Sequence, residues 1–222
     1  MEKENFEEIL KRYGIDLEKL KREQTKLAET LDLKDALDFK NAERIAAIDT
    51  IIIKNQVIAA AVICDKDYNI LDQQYSLEKL RFPYIHGFRS YRELTAMASA
   101  FSKLQEHADI VLIAGDGIIH PRLGTASHFS LATNMPSIGV AETVFEENKI
   151  EGEDIFLNGK KIGKVFYGKK GSNPLYISPG NKITVKSAFE FCKSLMKEPH
   201  KHPEPLHLAH KYAKSVKKEL RL

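Results

Sequence analysis

The sequence predicts an α/β fold, a mixed sheet with a three-strand antiparallel meander and flanking helices. Two observations carry this expectation. Three consecutive runs rich in Ile and Val, residues 44–54, 57–64 and 69–75, have the composition of strands joined by short turns. Beyond them the apolar pattern alternates between helical and strand-like segments up to the C-terminus. With 222 residues, 43% of them hydrophobic, the chain can bury one large core and is marginal for two. One domain over residues 1–222 is therefore expected.

Taken in order, residues 2–40 are charged and space Leu17, Leu20, Leu27 and Leu31 as a helix does. They are expected to form an amphipathic helical layer, residues 1–40, packed on the core. In the meander, Asn55 marks the first turn and Asp65-Lys66-Asp67 the second. A loop over residues 82–87 leads into a helix over 90–107, whose Leu94, Met97, Ala98, Phe101 and Leu104 form one stripe. A strand over Ile110–Ala114 stops at a glycine turn, followed by a helix over Thr125–Thr133 and a strand over Ser137–Ala141. Asn158-Gly159 is a hairpin turn within residues 155–167. A last strand, residues 175–178, is expected to end at Pro179-Gly180, ahead of a helix over 185–196. Residues 198–205 read as a Pro- and His-rich loop, and a basic helix over 206–220 is entered through Pro205.

Composition limits the function classes. A net charge of +3 does not by itself indicate nucleic acid. Two cysteines, Cys64 and Cys192, fit a reducing compartment better than a disulfide framework, and Cys64 closes a core-like apolar run. The N-terminus is charged, and no apolar run approaches membrane-spanning length. A cytoplasmic protein with no membrane partner is expected.

The candidates for chemistry cluster in a few places. Asp49 lies inside Ile45-Ala46-Ala47-Ile48-Asp49-Thr50-Ile51-Ile52-Ile53, where a carboxylate is costly unless paired or bound to metal. Glu93 and Arg92 open the helix after Pro83-Tyr84-Ile85-His86-Gly87; an acid there is most often a favourable helix N-terminal charge. Tyr84, next to Ile85, could wedge into a base stack or fold back on the core. The turn Ala114-Gly115-Asp116-Gly117-Ile118-Ile119-His120-Pro121-Arg122 delivers a carboxylate, an imidazole and a guanidinium at a strand end. Gly115 and Gly117 would let backbone approach a phosphate, and Arg122 could neutralise it. His207 and His210 share a helix face, with a solvated basic face as the commoner explanation. The same holds for Lys160, Lys161, Lys164, Lys169 and Lys170 as a track for a phosphate backbone.

Order and spacing of these motifs make the chain resemble the endonuclease V family. The resemblance runs from about Leu20 to Tyr212 and includes Leu123-Gly124-x-Ala126-Ser127-His128, Pro136-Ser137-Ile138-Gly139-Val140-Ala141, Pro174-Leu175-Tyr176-Ile177-Ser178-Pro179-Gly180 and Pro203-Glu204-Pro205 with Ala209-His210. It implies a ribonuclease H-like fold and a nuclease of deaminated bases that nicks at the second phosphodiester on the 3′ side of inosine or deoxyinosine. It implies magnesium, with manganese as the alternative, held by strand-end carboxylates. It implies a monomer whose partner is DNA or RNA containing inosine. Carried over, Asp49 would hold metal, Glu93 would be a second acidic member and His210 would stand near the metal. Tyr84, with Ile85 and Gly87, would be the strand-separating wedge, beside Arg92. Gly115, Gly117, His120 and Gly139 would line the pocket of the flipped base, beside Arg122.

The departures from the family pattern are concentrated at the metal. Ala114 stands where the family has an aspartate, and Glu142 where it has a lysine, which exchanges a phosphate-facing cation for an anion. His86 replaces the wedge's second proline, Leu94 a glycine and His207 an arginine; the spacing from His-Pro-Arg to Leu-Gly is one residue short. Asp116 could supply the missing carboxylate, though loss of the ligand is the simpler expectation. Ala114 itself reads either as an engineered change made to trap a substrate or, with Glu142 and His86, as the mark of a divergent natural relative. The function expected is a metal-dependent endonuclease weakened at one ligand; the alternative is an inactive nucleic-acid binding protein of the same fold.

Overall fold

Successive residues of the apolar runs point to opposite faces of a sheet, and each face is covered by a different pair of helices. The computed structural model describes residues 6–168 and 171–221. The strands are β1 (Ile45–Ile53), β2 (Gln56–Cys64), β3 (Ile70–Lys79), β4 (Ile110–Ala114), β5 (Ser137–Ala141), β6 (Lys149–Glu151), β7 (Asp154–Leu157), β8 (Lys160–Phe166) and β9 (Leu175–Asn181). The helices are α1 (Phe6–Tyr13), α2 (Leu17–Ala28), α3 (Arg89–Ser102), α4 (Thr125–Thr133), α5 (Val185–Ser194) and α6 (Glu204–Glu219). All strands join one sheet in the order β3-β2-β1-β4-β5-β9-β8-β7-β6. Its centre, β1-β4-β5, is parallel, and every other pairing is antiparallel.

The period of two decides what each face buries. Ile45 and Ala47 of β1, Val62 of β2 and Ile110 and Leu112 of β4 join Phe189 of α5 and Leu206 and Ala209 of α6. Their neighbours Ala46, Ile48, Ile63, Val111 and Ile113 pack with Met97 and Ala100 of α3 and Phe129 of α4. Asp49 therefore falls on the α6 side and Thr50 on the α3 side. The parallel register pairs Ile48 with Ile113, so Asp49 and Ala114 come next, side by side, where the parallel pairing ends. Ligands of open α/β sheets bind at such C-terminal strand ends.

The meander is as expected, although β3 continues to Lys79. Asn158 and Gly159 both have positive φ, 50° and 74°, as a two-residue hairpin turn requires. Three expectations are corrected. The N-terminal layer is thinner: helix stops at Ala28, α1 buries no residue and α2 buries only Gln24. The helix after the loop ends at Ser102 rather than His107, since the Lys103 ammonium donates to the Tyr75 carbonyl and the Gln105 N–H to Asp72, drawing the chain onto β3. Pro179-Gly180 does not end β9, which pairs with β5 through Asn181 across a bulge. The missing N–H of Pro179 is tolerated at that irregularity, and its carbonyl accepts from Ile118 of the glycine turn at 2.8 Å. Strand β6 was not anticipated, because its three residues are all exposed and carry no apolar alternation.

Candidate functional site

A cleft of about 550 Å³ opens at the end of β4, beside the middle of β1. It is lined by Asp49 and Thr50, by Tyr84 to Gly87 and Arg89, by Ala114 to Asp116 and His120, by Val140 to Thr143, and by His202 and His210. Residues far apart in sequence meet here because α3 crosses one face of the sheet and α6 the other.

Each carboxylate at the cleft already has partners. Asp49 accepts from the Thr50 N–H at 2.8 Å, and its other oxygen lies 2.6 Å from Nδ1 of His210. Glu93 is buried; its oxygens accept from Nε of Arg89, both at 2.9 Å, and from the Thr50 hydroxyl at 2.7 Å. Asp116 turns back to the start of α4, accepting from the Thr125 hydroxyl at 3.1 Å and more weakly from its N–H at 3.4 Å. Ala114 offers no donor atom. Arg89 lies among all three acids. Burial pulls against its charge, but Glu93, and then Asp116 and Asp49, hold its pKa above the ordinary arginine value.

These residues do not fit a hard divalent cation as they are folded. Such an ion needs several free oxygens converging on one point. Among the described residues, no group of three or more His, Cys, Asp or Glu is placed to hold a metal ion. A guanidinium stands among the acids that would have to supply it. The sequence alone pointed to Arg92 and passed over Arg89. Its signal was there: Arg89 and Glu93 are four apart on one helix, the spacing of an ion pair.

The rest of the candidate list divides into cleft and scaffold. Tyr84 is 72% exposed at the rim, with the Arg92 guanidinium 5.8 Å from its ring centre. His120 lines the cleft and is fixed there by backbone atoms. Its Nδ1 accepts from the Arg122 N–H and its Nε2 donates to the Gly87 carbonyl, both at 3.0 Å, and burial lowers its pKa. Arg122 is engaged as well: its Nε donates to Gln24 at 2.7 Å and its guanidinium lies over Phe88. Gln24 then donates to the same Gly87 carbonyl at 3.0 Å, which ties α2 to the Tyr84 loop. Gly87 has φ +78° and is held to glycine by that backbone.

Gly115 borders the cleft, but Gly117 and Gly139 lie behind it. A Cβ on Gly117 would come 2.1 Å from the Pro179 carbonyl oxygen, and one on Gly139 2.3 Å from the Gly117 nitrogen. Close backbone packing, rather than access for a phosphate, demands these two glycines. Ile85 is buried under the loop. Glu142 lines the wall, yet Lys201 reaches it at 2.8 Å and His202 at 3.0 Å, and the Lys201 hydrogen bond holds its pKa below the usual range. The anion read at that position thus arrives with a cation. Lys161 and Lys164 pair with Asp154 and do not form a free basic track; Lys169 and Lys170 lie outside the described residues. His207 stacks on His200, away from the cleft lining, with ring centres 3.6 Å apart.

Comparison with known proteins shows the family and the fold. The family model for Endonuclease V matches residues 25–211. Endonuclease V of Thermosipho melanesiensis is 35% identical over 188 residues, covering 81% of this chain and 83% of the relative. The crystal structure of the Bacillus subtilis Endonuclease V superposes with a TM-score of 0.86 at 21% identity, covering 93% of this chain and 94% of that one. Ciona intestinalis Endonuclease V, in complex with a DNA containing an inosine, gives a TM-score of 0.83 at 19% identity, covering 92% and 98%. A ribonuclease H-like sheet of this order, and a match over most of its length, make this chain a member of the endonuclease V family.

Proposed function

We propose that the chain recognises a deaminated base, inosine, in a nucleic-acid strand laid across the cleft, and that hydrolysis of that strand is weak or lost. The observation that carries this reading is the contrast within one cleft. The wall and rim that would receive a flipped base are open: exposed Tyr84 at the rim, Gly115 beside the cleft, and Val140 to Thr143 along its wall. The acids beneath them are paired off with Arg89, His210 and Thr125. The Ciona relative bound to inosine-containing DNA supports the choice of ligand. The expected magnesium or manganese has no part in this reading, because Ala114 supplies no ligand and the remaining carboxylates already have partners.

The test is fluorescence anisotropy with single-stranded oligonucleotides carrying one inosine, in DNA and RNA, against the same sequences with guanine. Nicking of end-labelled strands with magnesium or manganese is run beside it. Binding that favours inosine, with slow or undetectable nicking, is expected. Equal affinity for inosine and guanine overturns the reading of the pocket. Efficient nicking by the unaltered chain overturns the reading of the acids.

A further inference from the structure

We propose that Arg89 is a resident cation of this cleft, taking the place of a divalent ion and presenting its guanidinium to a phosphate of the bound strand. The inference rests on nucleic acid being the ligand, and it adds how the strand is held.

Position is the first argument. The Arg89 guanidinium reaches across the strand ends: one terminal nitrogen lies 3.3 Å from the Thr50 hydroxyl on β1, and the other would meet a Cβ on Gly115, just past β4, at 3.2 Å. An ion shared between Asp49 and the end of β4 would need that space. The second argument is charge. Glu93, Asp116 and Asp49 all stabilise the positive form of Arg89, so the acids that remain are answered by a fixed guanidinium. The third is unused capacity. A guanidinium has five N–H donors in a planar fork. The Nε–H serves Glu93 and one terminal N–H serves Thr50, while the side chain remains 40% exposed. The other N–H groups are left for the cleft that Arg89 lines. Two parallel N–H groups suit the two oxygens of a phosphate, and an arginine keeps its charge whatever the solution conditions. The exchange would give binding without a metal and would also remove the ion that activates water in nucleases of this kind. A missing carboxylate at Ala114 and a guanidinium beside it are then complementary.

Three measurements test this on the full chain. Manganese alone is titrated against the unaltered protein and against the double variant Ala114→Asp with Arg89→Leu, with bound ion read by its paramagnetic resonance. The unaltered protein is expected to show no saturable binding, and the double variant to bind stoichiometrically. Saturable binding by the unaltered protein overturns the replacement. If the double variant fails to fold, the unaltered protein still decides this arm. Second, the inosine oligonucleotide is bound in EDTA and in magnesium; equal affinity is expected, and a strong gain with magnesium overturns the proposal. Third, Arg89→Gln is expected to weaken binding about tenfold. It should also lower the slope of log affinity against log salt by about 0.7, as loss of one single-strand phosphate contact does. Arg89→Lys should restore the slope. A merely structural Arg89 would leave the slope unchanged, and that result overturns the phosphate role. Failure of the inosine reading looks different: the chain binds inosine and guanine strands equally while all three arms still follow Arg89.

Discussion

Glu93 shows how one residue carries two meanings. In sequence it is an acid early in a helix, where its dipole partner explains it. In the fold it is buried and held by both Arg89 and Thr50. Glu93→Gln keeps the shape but leaves Arg89 facing a neutral partner. The charge-assisted contact is about 2 kcal/mol, and in a chain of this size that corresponds to a loss of about 4–8 °C in Tm, measurable by calorimetry. Asp49 is legible in the sequence because an acid inside an isoleucine-rich run is costly; Arg89 is much less so, because an arginine four residues before an acid on a helix is an ordinary surface pair. His120 borders the cleft, and its two ring nitrogens are fixed by backbone atoms of Arg122 and Gly87. Burial depresses its pKa below the ordinary 6.5, so the unfolded chain takes up this proton at higher pH than the native one. Its contribution to stability is therefore full above about 6.5 and is lost as pH falls from there through the native pKa. Urea denaturation across that window should show the decline, and His120→Gln should reduce it, the rest being shared with His128, His202 and His207, whose pKa values burial also lowers.

At the scale of elements, the glycine turn is held by two strands, β5 and β9, rather than by its own residues. Gly117 lies against Pro179 and Ser178 of β9, and Gly139 of β5 against the turn. Gly117→Ala would force a methyl into a backbone carbonyl, with a cost of about 3 kcal/mol. A lower denaturation midpoint with an unchanged slope is the expected result, and an unaltered midpoint would show that β9 gives way easily. This packing was not legible, because a Gly-x-Gly pair looks the same whether a phosphate or a carbonyl approaches it. Pro179 was misread for a related reason: proline usually ends strands, and only the bulge beside Ser137 shows why this one does not. Gln24 gave no signal at all, as a single amide in a charged helix. Yet it joins the Gly87 carbonyl to Arg122. Gln24→Ala should speed amide exchange in the loop around Tyr84 and Gly87 far more than in the central strands, and uniform change across both would refute the brace.

Across the whole molecule, the architecture was the most legible feature, since the apolar periods that predicted the sheet are the ones that fill its two faces. The apolar periods alone do not bring side chains from both faces together at the end of β4; only the family resemblance implies that meeting, for Asp49, Glu93 and His210. Both cysteines lie in the core, and burial pushes the Cys64 thiol up to about 12. Neither should react with iodoacetamide in the native protein, and labelling should follow global unfolding; rapid labelling without denaturant would contradict the core placement. The pairing of Asp49 with His210 has one more implication, concerning time. These partners are 161 residues apart, and the helix that carries His210 packs across β1 and β2. At about 5–20 residues per second, a ribosome needs roughly 8–32 s to travel between them. During that interval a nascent chain can lay down its meander while the cleft still lacks one wall. The cleft closes on that side only after α6 has emerged and docked against β1 and β2.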